Sequence, residues 1–453
     1  MAEHKVVGTE DSPRIKMKIK TLHITNAYHQ TSGGISVFYR ALIEAANRRG
    51  RSIRLVVPGE ETKVEDIGEY GRIYTVAAPR SPIFDRRYRI LLPHSYLPPF
   101  RGALRRILED EKPDLIEVCD KYSVSWLAGL IRRGRLGRNL MRAANRPILV
   151  GMNCERMDDN VGAFITRSAV GKRLSRFYLG NLYIPLFDFH IANSQYTAEE
   201  LRNAMVDRHE RQIHVCPMGA NVREFAEARP SEESRSQLLA RFNGNDQTKL
   251  LLYAGRMSPE KNMGLLIEMM MELANDKTFD FRLIAAGSGP LADWFQSESN
   301  RHLPERVYVS SHIQDRGTLA DLYANCDAFV HPNPREPFGI APLEAMAANL
   351  PLIAPRSGGV LSYADETNAW LAEPTGEQFA VAARSIFSDP AARKDKLAQA
   401  RWTAQQYCWE NVTSRFFSLY DDLYQGFPSL RFARNAFPRP SSGVSHEKAH
   451  EKV

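Results

Sequence analysis

The stretch Asp327-Ala-Phe-Val-His331-Pro-Asn-Pro-Arg-Glu336-Pro-Phe-Gly339-Ile340-Ala341-Pro342-Leu-Glu344 decides how this chain reads. An apolar run bounded by Asp327 and His331 predicts a buried strand. A proline-rich loop carrying Glu336 follows. Gly339 and Pro342 then open a helix, proline being tolerated in a first helical turn. Strand, loop, helix is half of a parallel-sheet unit, and ligands of such sheets bind at the carboxyl ends of strands, where helix N-termini point.

Working outward, the pattern repeats. In the second half strands are expected at Lys249–Ala254, Phe281–Ala286, Arg306–Val309 and Leu350–Ala354, with helices between. In the first half they are expected at Thr21–Ala27, Ile53–Val57, Asp114–Cys119, Pro147–Met152 and Phe187–Ala192. A helix from Ile35 to about Arg49 shows one apolar face through Ile35, Phe38, Tyr39, Leu42, Ile43 and Ala46, and Gly50 stops it. Further helices are expected over Val124–Arg133 and from Tyr196, the latter capped by Asn193-Ser194. The reading is α/β, with two doubly wound domains. A chain of 453 residues is also too long for one hydrophobic core.

The expected divisions are a flexible tail over 1–17, a first domain over 18–214 and a second over 215–405. The connector falls near His214–Asn221, with Pro217 and Gly219 as breakers. Trp402–Tyr424 is a long helical stretch, and its part over 406–426 is expected to cross back onto the first domain. Residues 427–453, rich in Pro, Ser, Lys and His, are expected to be disordered.

Composition excludes several classes. Hydrophobic residues make up 43% and charged residues 25%, which rules out whole-chain disorder. Five widely spaced cysteines contain no Cys-x-x-Cys pair, so neither a zinc site nor a disulfide framework is expected. The first twenty residues are polar, with no signal-peptide pattern, and no apolar run is long enough for a membrane span. A cytoplasmic protein is expected, and Asn411-Val-Thr413 is then a chance glycosylation pattern. The net charge of +7 fits nucleic acid, an anionic membrane or phosphate-bearing substrates. Much of the excess lies in the first half. Arg86, Arg87 and Arg89 stand among Phe84, Tyr88, Ile90 and Leu91, followed by Arg101, Arg105, Arg106, Arg132, Arg133, Arg135 and Arg138. These residues are read either as a face for anionic lipid or as solvated helix charges.

Three segments carry candidate chemistry. Tyr253-Ala-Gly255-Arg256 closes a buried strand, and Gly255 permits a tight turn. Arg256 and Lys261 then project toward one point, where two cations neutralise a pyrophosphate. In the opening stretch, the free N–H groups of Gly339, Ile340 and Ala341 make an anion site. Glu344, a turn later, stands beside that anion, placed to accept hydrogen bonds from ribose hydroxyls. Glu336 lies where a sugar on the phosphate would sit. A lone Glu344 reads equally as a charge complementing the helix dipole, but the pair Glu336/Glu344 around Pro-Phe-Gly does not. Gly358-Gly359 permits either close approach to a ligand or a turn. Gly287-Ser-Gly289 reads as a turn. The Ser311-His312-Ile313 loop is a candidate contact for the base.

These motifs resemble glycosyltransferase family 4, retaining enzymes of GT-B fold. The residues that carry the resemblance are Gly255-Arg256 with Lys261, Asp327 to His331-Pro332, the pair Glu336/Glu344 around Pro337-Phe338-Gly339, Gly358-Gly359 and, more weakly, Ser32-Gly33-Gly34-Ile35 and the region of Trp409. The resemblance spans about residues 20–425. It implies that Arg256 and Lys261 hold the donor diphosphate, Glu344 the ribose and Glu336 the donor sugar, and that Gly33 and Gly34 approach the phosphate from the opposite domain. Many relatives carry a histidine after the strand corresponding to Pro147–Met152. Here Cys154 occupies that place, leaving Asn153, Cys154, Glu155 and Arg156 as candidate sugar or acceptor contacts.

The expected function is transfer of a hexose from a nucleotide-sugar donor, GDP-mannose before UDP-glucose, to a glycan, lipid-linked or small-molecule acceptor. The expected location includes a peripheral place on the inner face of a membrane. No nucleic acid partner and no metal cofactor are expected, and the chain lacks an Asp-x-Asp pair. The alternatives are a non-catalytic nucleotide-sugar binder and a GT-B sugar epimerase, the latter opposed by the Glu336/Glu344 pair.

Overall fold

The computed structural model describes residues 19–28, 33–81, 88–97, 102–134, 146–164, 169–205 and 212–435. Fourteen strands lie among them. The first sheet contains β1 (Thr21–Thr25), β2 (Ile53–Gly59), β3 (Lys63–Ile67), β4 (Gly71–Ala77), β5 (Leu115–Cys119), β6 (Ile148–Asn153), β7 (Phe189–Ala192) and β8 (Ile213–Val215). The second contains β9 (Thr248–Ala254), β10 (Asp280–Ala286), β11 (Val307–Ser310), β12 (Ala328–Val330), β13 (Leu352–Pro355) and β14 (Trp370–Ala372).

Strand order is β3-β4-β2-β1-β5-β6-β7-β8 in the first sheet and β11-β10-β9-β12-β13-β14 in the second. Every pairing is parallel except β3 with β4. Central strands are buried on both faces, as β1 and β5 show, and mostly apolar, with His23 and Glu117 buried among them. The result is two αβα domains, as the alternating pattern requires.

All ten expected strands form, with ends displaced by one or two residues. Four others were not anticipated. β3 is a charged and mostly exposed edge strand, without the apolar run that marks a buried one. β4 is only partly buried. β8 and β14 are three residues each, too short to show a period. β8 takes His214 from the expected connector, so the crossing begins at Cys216.

The two domain crossings run side by side. Ala220 pairs with Cys408 in an isolated parallel bridge. Trp409 Nε1 donates to Asn221 Oδ1 at 2.5 Å. A Cβ on Gly219 would sit 2.7 Å from the Trp409 ring, which accounts for glycine there. The last helix runs Trp409–Asn435, starting later and ending later than the sequence indicated, so the expected disorder does not begin at 427. It buries Phe416, Phe417, Tyr420 and Leu423. Arg51 grips its Asp421 through two hydrogen bonds of 2.8 and 2.6 Å. Tyr420 Oη donates to Glu117 on β5 at 2.7 Å. Glu117 is fully buried and also accepts from Tyr39 at 3.0 Å and meets His23 Nδ1 at 2.9 Å. That network fastens the returning helix to the first domain.

The tails 1–17 and 436–453, together with Ser32, Phe84, Arg86, Arg87, Arg101, Arg135 and Arg138, lie outside the described residues. Among the described residues no helix is long and apolar enough to cross a membrane.

Candidate functional site

A cleft of about 570 Å³ opens between the domains. It lies at the carboxyl ends of β9, β10, β11 and β12 and faces the N-terminus of the Gly34–Arg49 helix. Gly33, Gly34, Cys154, Gly255, Arg256, Lys261, His312, Ile313, Glu336, Gly339, Ile340, Ala341 and Glu344 all line it. Candidates separated by hundreds of residues thus meet in one place.

Two helix N-termini converge there. Gly339 caps the Ile340–Ala347 helix at φ 87°, a conformation that favours glycine. Tyr363 Oη donates to the Gly339 carbonyl at 2.6 Å and to that of Phe338 at 3.1 Å, fixing the turn. Across the cleft Gly34 opens its own helix, and a Cβ there would come within 3.0 Å of Ile340 Cδ1. Glycine therefore lets the two helix ends approach, so that the positive ends of both helix dipoles face the cleft.

Lys261 Nζ donates to Glu336 Oε2 at 2.7 Å, and Asn333 Nδ2 donates to the same oxygen at 3.1 Å. Burial alone would raise the Glu336 carboxyl. Lys261, His331 and Asn333 outweigh it and hold the pKa at about 2. Burial drives His331, 3.8 Å away, down to about 4, so its ring is neutral at pH 7. Glu336 is thus an ionised acceptor aimed into the cleft. Arg256 lies on the same side, and its carbonyl accepts from Tyr253 Oη at 2.7 Å.

The glycine loops support this arrangement. A Cβ on Gly359 would stand 1.9 Å from the Pro337 carbonyl oxygen, and Gly359 N donates to the Glu336 carbonyl at 2.6 Å. Gly358-Gly359 therefore approaches the Glu336 loop rather than presenting its own ligand. Likewise a Cβ on Gly287 would stand 1.9 Å from the Gly255 carbonyl, and one on Gly289 2.2 Å from that of Met257. That turn buttresses the Arg256 loop.

Glu344 is buried, which pushes its carboxyl up against the pull of Arg316. Arg316 Nη2 donates to Glu344 at 2.9 Å, and its Nε donates to Glu224 at 2.9 Å. Arg316 was not singled out from sequence. It stands 28 residues from Glu344, and no spacing announces the pair. Asn333 and Tyr363 were missed for the same reason, although Asn333 lies inside the quoted loop.

The first-domain candidates fare differently. Asn153 is fully buried, donating to the Gly151 and Ile191 carbonyls at 2.9 and 3.3 Å. Arg156 clasps Asp158 at 2.9 and 2.6 Å and lies over the Tyr196 ring. The Glu155 carbonyl accepts from Lys121 Nζ at 2.6 Å, and burial raises its carboxyl. These three are absorbed into their own domain, and Cys154 alone of the four lines the cleft. Its Sγ is 3.8 Å from that of Cys119.

Two parallel-sheet domains closing on such a cleft define a GT-B glycosyltransferase. Residues 32–224 match the family description "Glycosyltransferase Family 4", and residues 234–402 match "Glycosyl transferases group 1". Over 87% of this chain and 94% of its relative, the sequence is 26% identical to a GDP-mannose-dependent alpha-(1-6)-phosphatidylinositol dimannoside mannosyltransferase of Mycobacterium tuberculosis. A D-inositol 3-phosphate glycosyltransferase of Xylanimonas cellulosilytica is 27% identical over 51% of this chain and 56% of its own. Among solved structures, a sucrose-phosphate synthase from Thermosynechococcus elongatus superposes with a TM-score of 0.69 at 20% identity, covering 90% of this chain and all of its own. Anabaena HepE in complex with UDP and glucose gives 0.62 at 17% identity, covering 89% and 99%. The chain belongs to glycosyltransferase family 4 and is a hexosyltransferase.

Proposed function

We propose that the enzyme transfers mannose from GDP-mannose to a lipid-linked or glycan acceptor, with retention of anomeric configuration and without a metal ion. The observation that carries this reading is the Lys261–Glu336 pair set at the mouth of the Ile340–Ala347 helix, inside the interdomain cleft. The mannosyl donor is favoured by the mycobacterial relative, which aligns along nearly its whole length.

In this mechanism the diphosphate departs as an anion while the anomeric carbon gains positive character. Arg256, Lys261 and the N–H groups of Gly339, Ile340 and Ala341 stabilise the departing charge. Glu336 accepts from hydroxyls of the sugar, and Glu344 accepts from the ribose once Arg316 has oriented it. His312 and Ile313 face the base. The acceptor hydroxyl attacks from the face the diphosphate leaves, and its proton passes to the leaving phosphate. The enzyme works in the cytoplasm, peripheral to the inner face of a membrane.

A panel of nucleotide sugars tests the assignment. The expected result is nucleotide release from GDP-mannose that EDTA does not reduce. Faster release from UDP-glucose overturns the donor, binding without release makes the chain a non-catalytic module, and recovery of an altered nucleotide sugar makes it an epimerase.

A further inference from the structure

The Ala169–Tyr178 helix presents the wrong residues to solvent. Apolar side chains ordinarily occupy the buried face of a surface helix. Here the small residues Gly171 and Ser175 are buried. Val170, Leu174 and Phe177 stand 65, 63 and 61% exposed. Spacings of four and three place those side chains on one stripe. Lys172, Arg173 and Arg176 are exposed on the same helix, which contains no acidic residue. None of the three cations has an ion pair among the described residues. Trp126, 38% exposed on the Ser125–Arg132 helix, lies with its ring 6.5 Å from that of Tyr178. An indole there offers an apolar body and a polar edge, suited to a water–lipid boundary.

The helix sits beside the cleft. It packs on the Met157–Phe164 helix, which starts just after Cys154 and touches the Pro259–Lys261 turn of the other domain. The stripe is therefore carried by a first-domain helix that lies one helix away from the cleft.

Of the basic residues expected to meet lipid, Arg89, Arg105 and Arg132 are engaged elsewhere, while Arg106 and Arg133 stand exposed on other helix faces. Arg89 donates to the Ala78 carbonyl and to Glu60, and Leu91 is fully buried. Arg105 pairs with Glu109. Arg132 donates to the Pro185 and Phe187 carbonyls.

We propose that the exposed face of the Ala169–Tyr178 helix docks on an anionic lipid bilayer. Unpaired cations beside a convex apolar stripe match a negatively charged headgroup layer over hydrocarbon. The docking gives purpose to the lipid-linked acceptor read above and in that sense rests on it. The contact itself is measurable without any sugar.

The test is co-sedimentation of the full chain with vesicles of phosphatidylcholine and phosphatidylglycerol at about 7:3, against phosphatidylcholine alone. Binding is expected only to the anionic vesicles and is expected to weaken with salt. Lys172→Gln/Arg173→Gln/Arg176→Gln is expected to weaken it about 100-fold. Val170→Ser/Leu174→Ser/Phe177→Ser is expected to weaken it about tenfold or more. Both variants keep the wild-type melting temperature and nucleotide release, since the side chains are exposed. The proposal is overturned if the wild type ignores anionic vesicles or if the serine variant binds as the wild type does. It is also overturned if the wild type is a dimer that the serine variant renders monomeric, which makes the face an interface between copies. Vesicle binding without turnover of any nucleotide sugar leaves this proposal standing and defeats the proposed function instead.

Discussion

The loop after β12 and the loop after β6 leave sheet strands of different domains and face the same cleft, yet they are built in opposite ways. After β12, Glu336 is held by Lys261 from the β9 loop and by Asn333, while Gly358-Gly359 from the β13 loop brackets its backbone. The functional atoms face inward, already charged and oriented. After β6, Asn153 and Arg156 turn their polar atoms into their own domain and leave Cys154 at the cleft. One side of the cleft is preorganised, and it is the side the proposed function gives to the donor. The other offers a backbone approach at Gly33 and Gly34 and little side-chain chemistry.

Breaking the donor side has the largest expected effect. Lys261→Ala removes the cation that the proposed mechanism sets on the departing diphosphate and leaves Glu336 buried without its strongest partner. Turnover at saturating donor is expected to fall about 10²–10³-fold. Unchanged turnover removes Lys261 from the mechanism.

Next comes the ionisation of Glu336. Its pKa lies near 2 in the fold against an ordinary 4.5, so its ion pair contributes about 3 kcal/mol above pH 4.5. The contribution is lost as pH falls from 4.5 toward 2. Urea unfolding of wild type and Glu336→Gln is expected to show a constant gap above about pH 5 that narrows toward pH 3. A gap that widens on acidification contradicts the assigned charge state.

Gly359→Ala tests the bracket. Its Cβ would meet the Pro337 carbonyl, so the Glu336 loop must move. A stability loss of about 1–3 kcal/mol is expected, with weaker donor binding. Full donor affinity in this variant shows that the loop tolerates displacement.

The smallest effect sharpens the contrast. Arg156→Gln breaks the clasp on Asp158 but touches nothing in the cleft. Donor affinity by calorimetry is expected to stay within about twofold of wild type, as for a site without a contact to the ligand.

Legibility in the sequence followed the same division. Buried central strands such as β5, β9 and β10 were legible because burial on both faces leaves a mostly apolar run, interrupted by Glu117 in β5 and by charges only near the starts of β9 and β10. The charged edge β3 carries no such signal. That Glu336, Gly339 and Glu344 meet at the cleft was legible because they lie within one strand–loop–helix unit, where position in the unit fixes position in the sheet. Arg316 and Tyr363 were not, because they reach Glu344 and Gly339 only through the packing of other loops. Arg156 was a candidate through its place beside Cys154 in that loop, but Asp158 and Tyr196 occupy its side chain. The exposed stripe of Val170, Leu174 and Phe177 has helical periodicity, but periodicity does not say which face is buried.

The central claim is that the second domain holds the donor diphosphate through Arg256, Lys261 and the helix opened at Gly339. Calorimetric titration of GDP into wild type and Arg256→Ala/Lys261→Ala tests it most directly. The account predicts measurable binding by the wild type and at least about 100-fold weaker binding by the double variant, as expected when two charge-assisted contacts are lost. Equal affinity in the two proteins would contradict it.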